Sequence, residues 1–195
     1  AAHEPAFNGA HVLEIGDDNS IREYVTLSRG TVGGGGVTRV GNDCLIMAYT
    51  HIGHDSIIGN GCILANAATL AGHVTVEDYA VVGALNPVHQ FCTIGKYAYV
   101  GGGTTITQDV LPYSLTSIER NNHAYGINKV GLERKGFTPA EIKQLRAAYR
   151  LLQASKLNTS EALAAIREKV ASGEFGERFA YLADFIARIV RGIIK

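Results

Sequence analysis

Val40-Gly41-Asn42-Asp43-Cys44-Leu45-Ile46-Met47-Ala48-Tyr49-Thr50-His51-Ile52 opens a stretch in which an aliphatic residue returns at every sixth position. The column runs Val40, Ile46, Ile52, Ile58, Leu64, Leu70, Val76, Val82, Val88, Ile94, Val100 and Ile106. A second regular slot, mostly small, holds Cys44, Thr50, Ser56, Cys62, Ala68, Val74, Ala80, Asn86, Cys92, Ala98, Thr104 and Val110. A period of six matches neither the helical 3.6 nor the plain 2 of a long strand, and a short fixed repeat marks a solenoid. The stretch reads as a parallel β-helix of hexapeptide repeats, with two inward slots per hexad and the others facing out.

Three hexads make one triangular coil, so residues 18 apart stack about 4.8 Å from one another, the spacing of neighbouring strands. That arithmetic sets His54, Gly72 and Gln90 in one column. His73 and His89 lie beside its second and third members, and His51 stands three positions before His54. Four histidines therefore gather on one outer edge.

Working towards the N-terminus, Ile15, Ile21 and Leu27 already keep the hexad phase, while Ala1 to Val12 shows no repeat. From Leu27 to Val40 the interval is one position longer than two hexads. The slip coincides with Gly30-Thr31-Val32-Gly33-Gly34-Gly35-Gly36, read as a loop near 30–39 that leaves a coil, because glycine relieves the φ restrictions of an irregular path. A phosphate-cradling loop would need a Lys-Ser/Thr ending and a following helix, which this run lacks.

Working towards the C-terminus, the repeat stops at Leu111-Pro112-Tyr113. Thr138-Pro139-Ala140-Glu141 is a capping box with proline at the first helical position, and Ile142, Leu145, Tyr149 and Leu152 follow on one face. Asn158 with Glu161 starts a second helix that ends near Gly173, and a third is expected from Glu177 to Ile194. The predicted organisation is a β-helix over 1–112, a connecting segment over 113–136 and a small helical domain over 137–195.

Hydrophobic content of 46% suffices for a folded core, and 18 basic residues balance 18 acidic ones. Balanced charge gives no support to bulk attraction for nucleic acid. There is no apolar run long enough to span a bilayer and no leader pattern, so the expectation is a cytoplasmic protein without stable membrane insertion. Cys44, Cys62 and Cys92 sit in inward slots and read as small core residues.

The histidine edge is where chemistry is expected. Zinc needs three or four ligands at fixed distances; Gly72 and Gln90 are poor contributors, and no metal is assigned. Acyl transfer suits the residues better. A hydroxyl attacking a thioester needs a base that takes a proton near neutral pH, which histidine does. Asp55 follows His54 and could fix its tautomer. Gly72, one coil on, could bring a backbone N–H to a developing oxyanion.

Several runs carry a specific resemblance: Gly30-Thr31-Val32, His51-Ile52-Gly53-His54-Asp55, Ile63-Leu64-Ala65-Asn66, Ala68-Thr69-Leu70-Ala71-Gly72-His73-Val74, Val88-His89-Gln90-Phe91, Gly126-Ile127-Asn128 and Gly131-Leu132-Glu133-Arg134-Lys135-Gly136-Phe137. From about Leu13 to the C-terminus the chain resembles the UDP-N-acetylglucosamine O-acyltransferases of lipid A biosynthesis. The resemblance implies a left-handed parallel β-helix and a homotrimer with active sites between subunits. It implies transfer of an (R)-3-hydroxyacyl chain from acyl carrier protein to the 3-hydroxyl of UDP-N-acetylglucosamine. No cofactor is implied, the acyl donor being carried on the phosphopantetheine of the carrier protein.

By the same resemblance His54 is the general base, Asp55 its partner and Gly72 the oxyanion residue. His51, His73, His89, Gln90, Asn128 and Arg134 bind substrate, and Gly102 matches the position that sets acyl-chain length, glycine there corresponding to a groove open to long chains. Lys143, Arg146 and Arg150 lie on one side of the first helix, where they could meet an acidic carrier protein. The chain departs from the family in lacking its N-terminal coils and the acid and lysine pair before Leu13. Glu4 could supply the acid, but Pro5 or Ala6 stands at the lysine position, and Val130 replaces a glutamate. Two alternatives are an N-acyltransferase acting on a nucleotide-linked amino sugar and a non-catalytic hexapeptide-repeat binding trimer.

Overall fold

The computed structural model describes residues 11–117, 123–153, 157–189 and 192–194. Residues 1–10, with the Glu4, Pro5 and Ala6 comparison, lie outside them.

Each coil is three short strands. The first holds β1 (Val12–Ile15), β2 (Ser20–Ile21) and β3 (Thr26–Leu27); the second β4 (Val37–Val40), β5 (Leu45–Ile46) and β6 (His51–Ile52). The third holds β7 (Ile57–Ile58), β8 (Ile63–Leu64) and β9 (Thr69–Leu70), and the fourth β10 (Thr75–Val76), β11 (Val81–Val82) and β12 (Pro87–Val88). β13 (Thr93–Ile94) and β14 (Tyr99–Val100) follow. Every third strand stacks in parallel, giving three sheets in the orders β1-β4-β7-β10-β13, β2-β5-β8-β11-β14 and β3-β6-β9-β12.

From β4 to β14 the register advances by 18, as in Val40↔Ile58↔Val76↔Ile94. All members of the aliphatic column from Val40 to Ile106 and of the small column from Cys44 to Val110 are at most 2% exposed. The three cysteines are free and buried among them. Ile15 and Ile21, in the first described coil, are 44% and 41% exposed, because no described coil covers them on that side.

The corner between one strand and the next is made the same way each time. Asp55, His73 and Phe91 occupy one such turn position, and Tyr79, Tyr97 and Tyr113 another, all with φ near +60°. A non-glycine residue there costs about 1 kcal/mol or more. Stacking offsets part of this: the rings of Tyr79 and Tyr97 lie 5.0 Å apart and those of Tyr97 and Tyr113 5.8 Å.

The glycine-rich loop is longer than the phase slip suggests. Between the first and second coils the register advances by 25 instead of 18, as in Ile15↔Val40 and Thr26↔His51, so seven residues are looped out. They form a single 3-10 turn at Val32–Gly34. The apparent slip of one was the residue left when seven is counted against a period of six.

The segment expected to connect the two parts is itself structured. β15 (Ser114–Ser117) runs parallel to β14, and β16 (His123–Ile127) pairs antiparallel with β15, extending one sheet beyond the last coil. A short helix, α1 (Lys129–Arg134), follows with Asn128 as its N-cap. The helical domain then comprises α2 (Pro139–Gln153), α3 (Thr159–Ala171) and α4 (Arg178–Ala187). Both capping boxes form: Thr138 with Glu141, and Asn158 with Glu161. Ile142, Leu145, Tyr149 and Leu152 of α2 are buried as expected.

The third of these helices ends earlier than its apolar spacing predicts. Arg188 leaves the helix to pair with Glu77 of the solenoid, and the chain returns to the last coil. The Asp109 N–H donates to the Gly192 carbonyl at 2.9 Å, and the Ile194 N–H to the Asp109 carbonyl at 3.0 Å. Ile194, 3% exposed, joins the solenoid core. Val190 lies outside the described residues. Among the described residues no helix is long and apolar enough to cross a membrane.

Candidate active site

His54 and Asp55 occupy the turn between β6 and β7, at the corner shared by two sheets. The turn places Asp55 in the left-handed region at φ +59°, which folds its carboxylate back towards the preceding ring. His54 Nδ1 lies 2.8 Å from Asp55 Oδ2. The Asp55 side chain is fully buried while that of His54 is 45% exposed. One end of the imidazole is therefore held inside and the other is offered to solvent or substrate.

The burial of Asp55 is supplied by the glycine-rich loop. The Thr31 N–H donates to Asp55 Oδ1 at 2.8 Å and the Thr31 hydroxyl to Oδ2 at 2.5 Å. The Asp55 N–H donates to Thr38 Oγ1 at 2.8 Å. A Cβ on Gly34 would lie 2.0 Å from Asp55 Cγ, so only glycine lets the loop come this close. Burial alone would raise the Asp55 carboxyl, but the Thr31 hydroxyl, the Thr31 N–H and His54 outweigh it and hold the carboxyl below its usual range.

Gly72 lies one coil along from His54. A Cβ there would stand 2.6 Å from His54 Cε1 and 2.7 Å from Nε2. The sequence reading explained the missing side chain by access to an oxyanion; here the space is filled by the His54 ring. His73 packs edge-on against His54 with ring centres 5.1 Å apart, and its other neighbour is Phe91, stacked at 4.6 Å.

His51 and His89 flank this pair. His51 is partly buried and shares a 2.8 Å hydrogen bond between its Nδ1 and Thr26 Oγ1. His89 is exposed, with Nδ1 3.1 Å from the Gln90 carbonyl, and Gln90 is exposed beside it. Gly102 lies over Ala84, as the column spacing predicts, and a Cβ there would be 3.1 Å from the Ala84 carbonyl oxygen.

Asn128 and Arg134 are not brought to this edge within one chain. Asn128 is buried at a different corner, where its Nδ2 donates to the Tyr97 carbonyl and its Oδ1 accepts from the Gly131 N–H. Arg134 is exposed in the last turn of α1. A space of about 130 Å³ lies between the solenoid and α4, beside Thr75, Thr93, Asp109 and Arg188, and includes none of the histidines. On the histidine edge of a single chain the His54 side chain is 45% exposed and His89 and Gln90 are exposed.

His54, Asp55 and His73 present one donor atom each within 4.8 Å of one another, a grouping that a metal ion could engage. Both Asp55 oxygens already accept hydrogen bonds from Thr31. The three side chains are the smallest protein ligand set that zinc takes, and no further His, Cys, Asp or Glu joins them among the described residues.

Thr31, Thr38, Gly34 and Phe91 were not assigned to the site from sequence. Phe91 stands one full coil after His73, so column arithmetic could have found it. Thr31 and Asp55 face each other across the looped-out segment, where no repeat rule reaches.

Residues 109–194 match the family model described as "Udp N-acetylglucosamine O-acyltransferase; Domain 2", and residues 38–72 match the bacterial transferase hexapeptide model. The chain is 49% identical over 183 residues to the acyl-[acyl-carrier-protein]–UDP-N-acetylglucosamine O-acyltransferase of Alkalilimnicola ehrlichii, covering 94% of this chain and 69% of the relative. It is 48% identical over 157 residues to the protein of the same name in Xylella fastidiosa, covering 80% of this chain and 60% of that relative. The solved UDP-N-acetylglucosamine O-acyltransferase of Moraxella catarrhalis superposes with a TM-score of 0.91 at 39% identity, over 100% of this chain and 74% of that one.

Proposed function

This chain belongs to the acyl-[acyl-carrier-protein]–UDP-N-acetylglucosamine O-acyltransferase family, and on that premise we propose that it moves an (R)-3-hydroxyacyl chain from acyl carrier protein to the 3-hydroxyl of UDP-N-acetylglucosamine, the first step of lipid A biosynthesis. The observation that carries the reading is the 2.8 Å contact between His54 Nδ1 and the buried Asp55 carboxylate. A carboxylate can only accept there, so Nδ1 carries the proton and Nε2 keeps its lone pair for the acceptor hydroxyl.

Nε2 takes the proton of the sugar hydroxyl as its oxygen attacks the thioester carbonyl carbon, while Nδ1 keeps its own proton against Asp55. The tetrahedral oxyanion is met by the Gly72 N–H, and the imidazolium is held by Asp55. Collapse breaks the carbon–sulfur bond, and the proton on Nε2 passes to the departing phosphopantetheine thiolate. The chain's own residues suffice for this sequence, without a metal or other cofactor.

His51, His73, His89 and Gln90 line the approach to His54 and are assigned to substrate. Asn128 and Arg134 sit at another corner of the prism, so their part in the same cleft falls to a neighbouring copy in a homotrimer. A left-handed coil and a cytoplasmic location are part of the same proposal, on the strength of family membership. Acyl-chain selection is assigned to Gly102.

The test offers the purified protein a series of acyl carrier protein thioesters with UDP-N-acetylglucosamine and the matching 3-amino sugar, and reads products by mass spectrometry. An ester of UDP-N-acetylglucosamine is expected. An amide alone would move the acceptor to an amine, and no acylated sugar with any donor would overturn the reading.

A further inference from the structure

Thr31 is the first residue flanking the 3-10 turn of the loop, yet its side chain does not cap that turn. Threonine at such a position normally hydrogen-bonds its own backbone. Here the hydroxyl and the N–H of one residue both leave the loop and reach the Asp55 carboxylate, one to each oxygen. We infer that Thr31 is a positioning residue for the His54–Asp55 pair, and that the looped-out segment is a clamp fixing the ionisation and plane of that carboxylate. The inference rests on the reading of His54 as the base.

The chemistry follows from donor counts. The Thr31 N–H has no acceptor capacity, so Oδ1 must accept. Oδ2 accepts from the Thr31 hydroxyl and faces His54 Nδ1 at 2.8 Å. Donors to both oxygens favour the ionised carboxylate, and an ionised Asp55 can only accept, so the proton of the His54–Asp55 contact sits on His54 Nδ1. The choice of tautomer is thereby made outside the histidine turn, by a loop that precedes it in the chain.

Losing the hydroxyl would leave a buried carboxylate under-satisfied, which costs more than the bond itself gives. The side chain would rotate towards water or gain a proton, and in either case His54 loses a fixed acceptor. Gly34 closes the clamp from the other side, since any side chain there would occupy the carboxylate's position.

The experiment compares Thr31→Val, Thr31→Ser and Gly34→Ala with the parent, reading steady-state kinetics and the ¹⁵N resonances of the His54 ring. Thr31→Val is expected to lower kcat about tenfold to 10²-fold with KM within about twofold, the pattern of a mispositioned group rather than lost binding. Its ring nitrogens should report a mixture of tautomers where the parent shows Nδ1–H alone. Thr31→Ser keeps both donors and should restore kcat to within about threefold of the parent. Gly34→Ala should reproduce the kcat loss with the hydroxyl still present.

An unchanged tautomer in folded Thr31→Val, or a Thr31→Ser variant as slow as Thr31→Val, overturns the clamp. The ring resonances decide this without turnover. Should His54→Ala retain activity while Thr31→Val shifts the tautomer, the clamp stands and the base assignment falls.

Discussion

The His54 imidazole occupies the space that a side chain at Gly72 would need, 2.6 Å from where its Cβ would stand. Gly72→Ala should therefore push the ring off Asp55 while the coil, whose backbone there is not in the left-handed region, stays folded. Displacing a reacting group by about 1 Å can cost roughly 10²-fold, and a loss of that order in kcat is expected. Circular dichroism checks the fold, and turnover near the parent's would show that the ring is not required in this place.

Removing the ring altogether asks more. His54→Ala should lower turnover by about 10²–10⁴-fold, the range for a lost general base. The ring itself is 45% exposed but holds the buried Asp55 carboxylate, so its removal should lower Tm modestly while the coil stays folded. Retained turnover in a folded variant would place the base elsewhere.

Two carboxylates, buried Asp55 and partly buried Glu77, should respond to pH with opposite sign. Asp55 is held below its ordinary value of 3.8, so its stabilising contribution is complete above that value and disappears as pH falls through the lower folded value. The advantage of the parent over Asp55→Asn in urea should be constant from neutrality down to about pH 5 and then shrink. Glu77 is pushed above its ordinary value of 4.5 by burial, against the pull of Arg188 and Lys96. Its contribution is complete below that value and lost as pH rises through the folded one. Glu77→Gln should gain on the parent as pH climbs from about 4 to 7, read as a growing difference in Tm.

The glycines at 101–103 divide their work. Gly103 has φ +71°, a conformation the turn requires, whereas Gly102 is outside that region. The atoms nearest a Cβ at Gly102 are those of the Ala84 backbone, with the carbonyl oxygen at 3.1 Å. Gly102→Met should shift product towards shorter acyl chains, since each methylene denied burial costs about 0.8 kcal/mol. Gly103→Met should instead lower stability. Competition between long and short thioesters, read by mass spectrometry, separates the two effects, and an unchanged ratio in active Gly102→Met removes Gly102 from chain selection.

The solenoid was legible because one physical rule repeats. Each inward slot must be filled, so Val40 and its successors announce both strand and column, and the one-coil offset that pairs Val40 with Ile58 also sets Gly72 against His54. Thr31 was not legible, because its contact with Asp55 spans a looped-out segment with no period. The β15–β16 hairpin hid for another reason: Ser114 and Thr116 are buried polar residues where a strand reading looks for apolar ones. The early end of α4 is tertiary structure overriding local pattern. Ile189 and Ile193 carry helical spacing, but the open edge at Asp109 offers backbone partners that the helix forgoes. Asn128 was read for chemistry, and in the single chain it caps α1.

That returning tail has a consequence for how the protein is made. Each coil can close on the one before it as the chain emerges, since its partners lie only one coil back. The strand edge at Asp109 is different, because the whole helical domain separates it in sequence from its partners at Gly192 and Ile194. At roughly 5–20 residues per second, ribosomes need on the order of 4–17 s to supply them. Until then the backbone N–H and C=O of Asp109 wait for these two partners, on the kind of edge where other nascent chains can pair. The last few residues thus act as a timed seal, and the exposure to misassembly is set by the length of the helical domain that must be synthesised first.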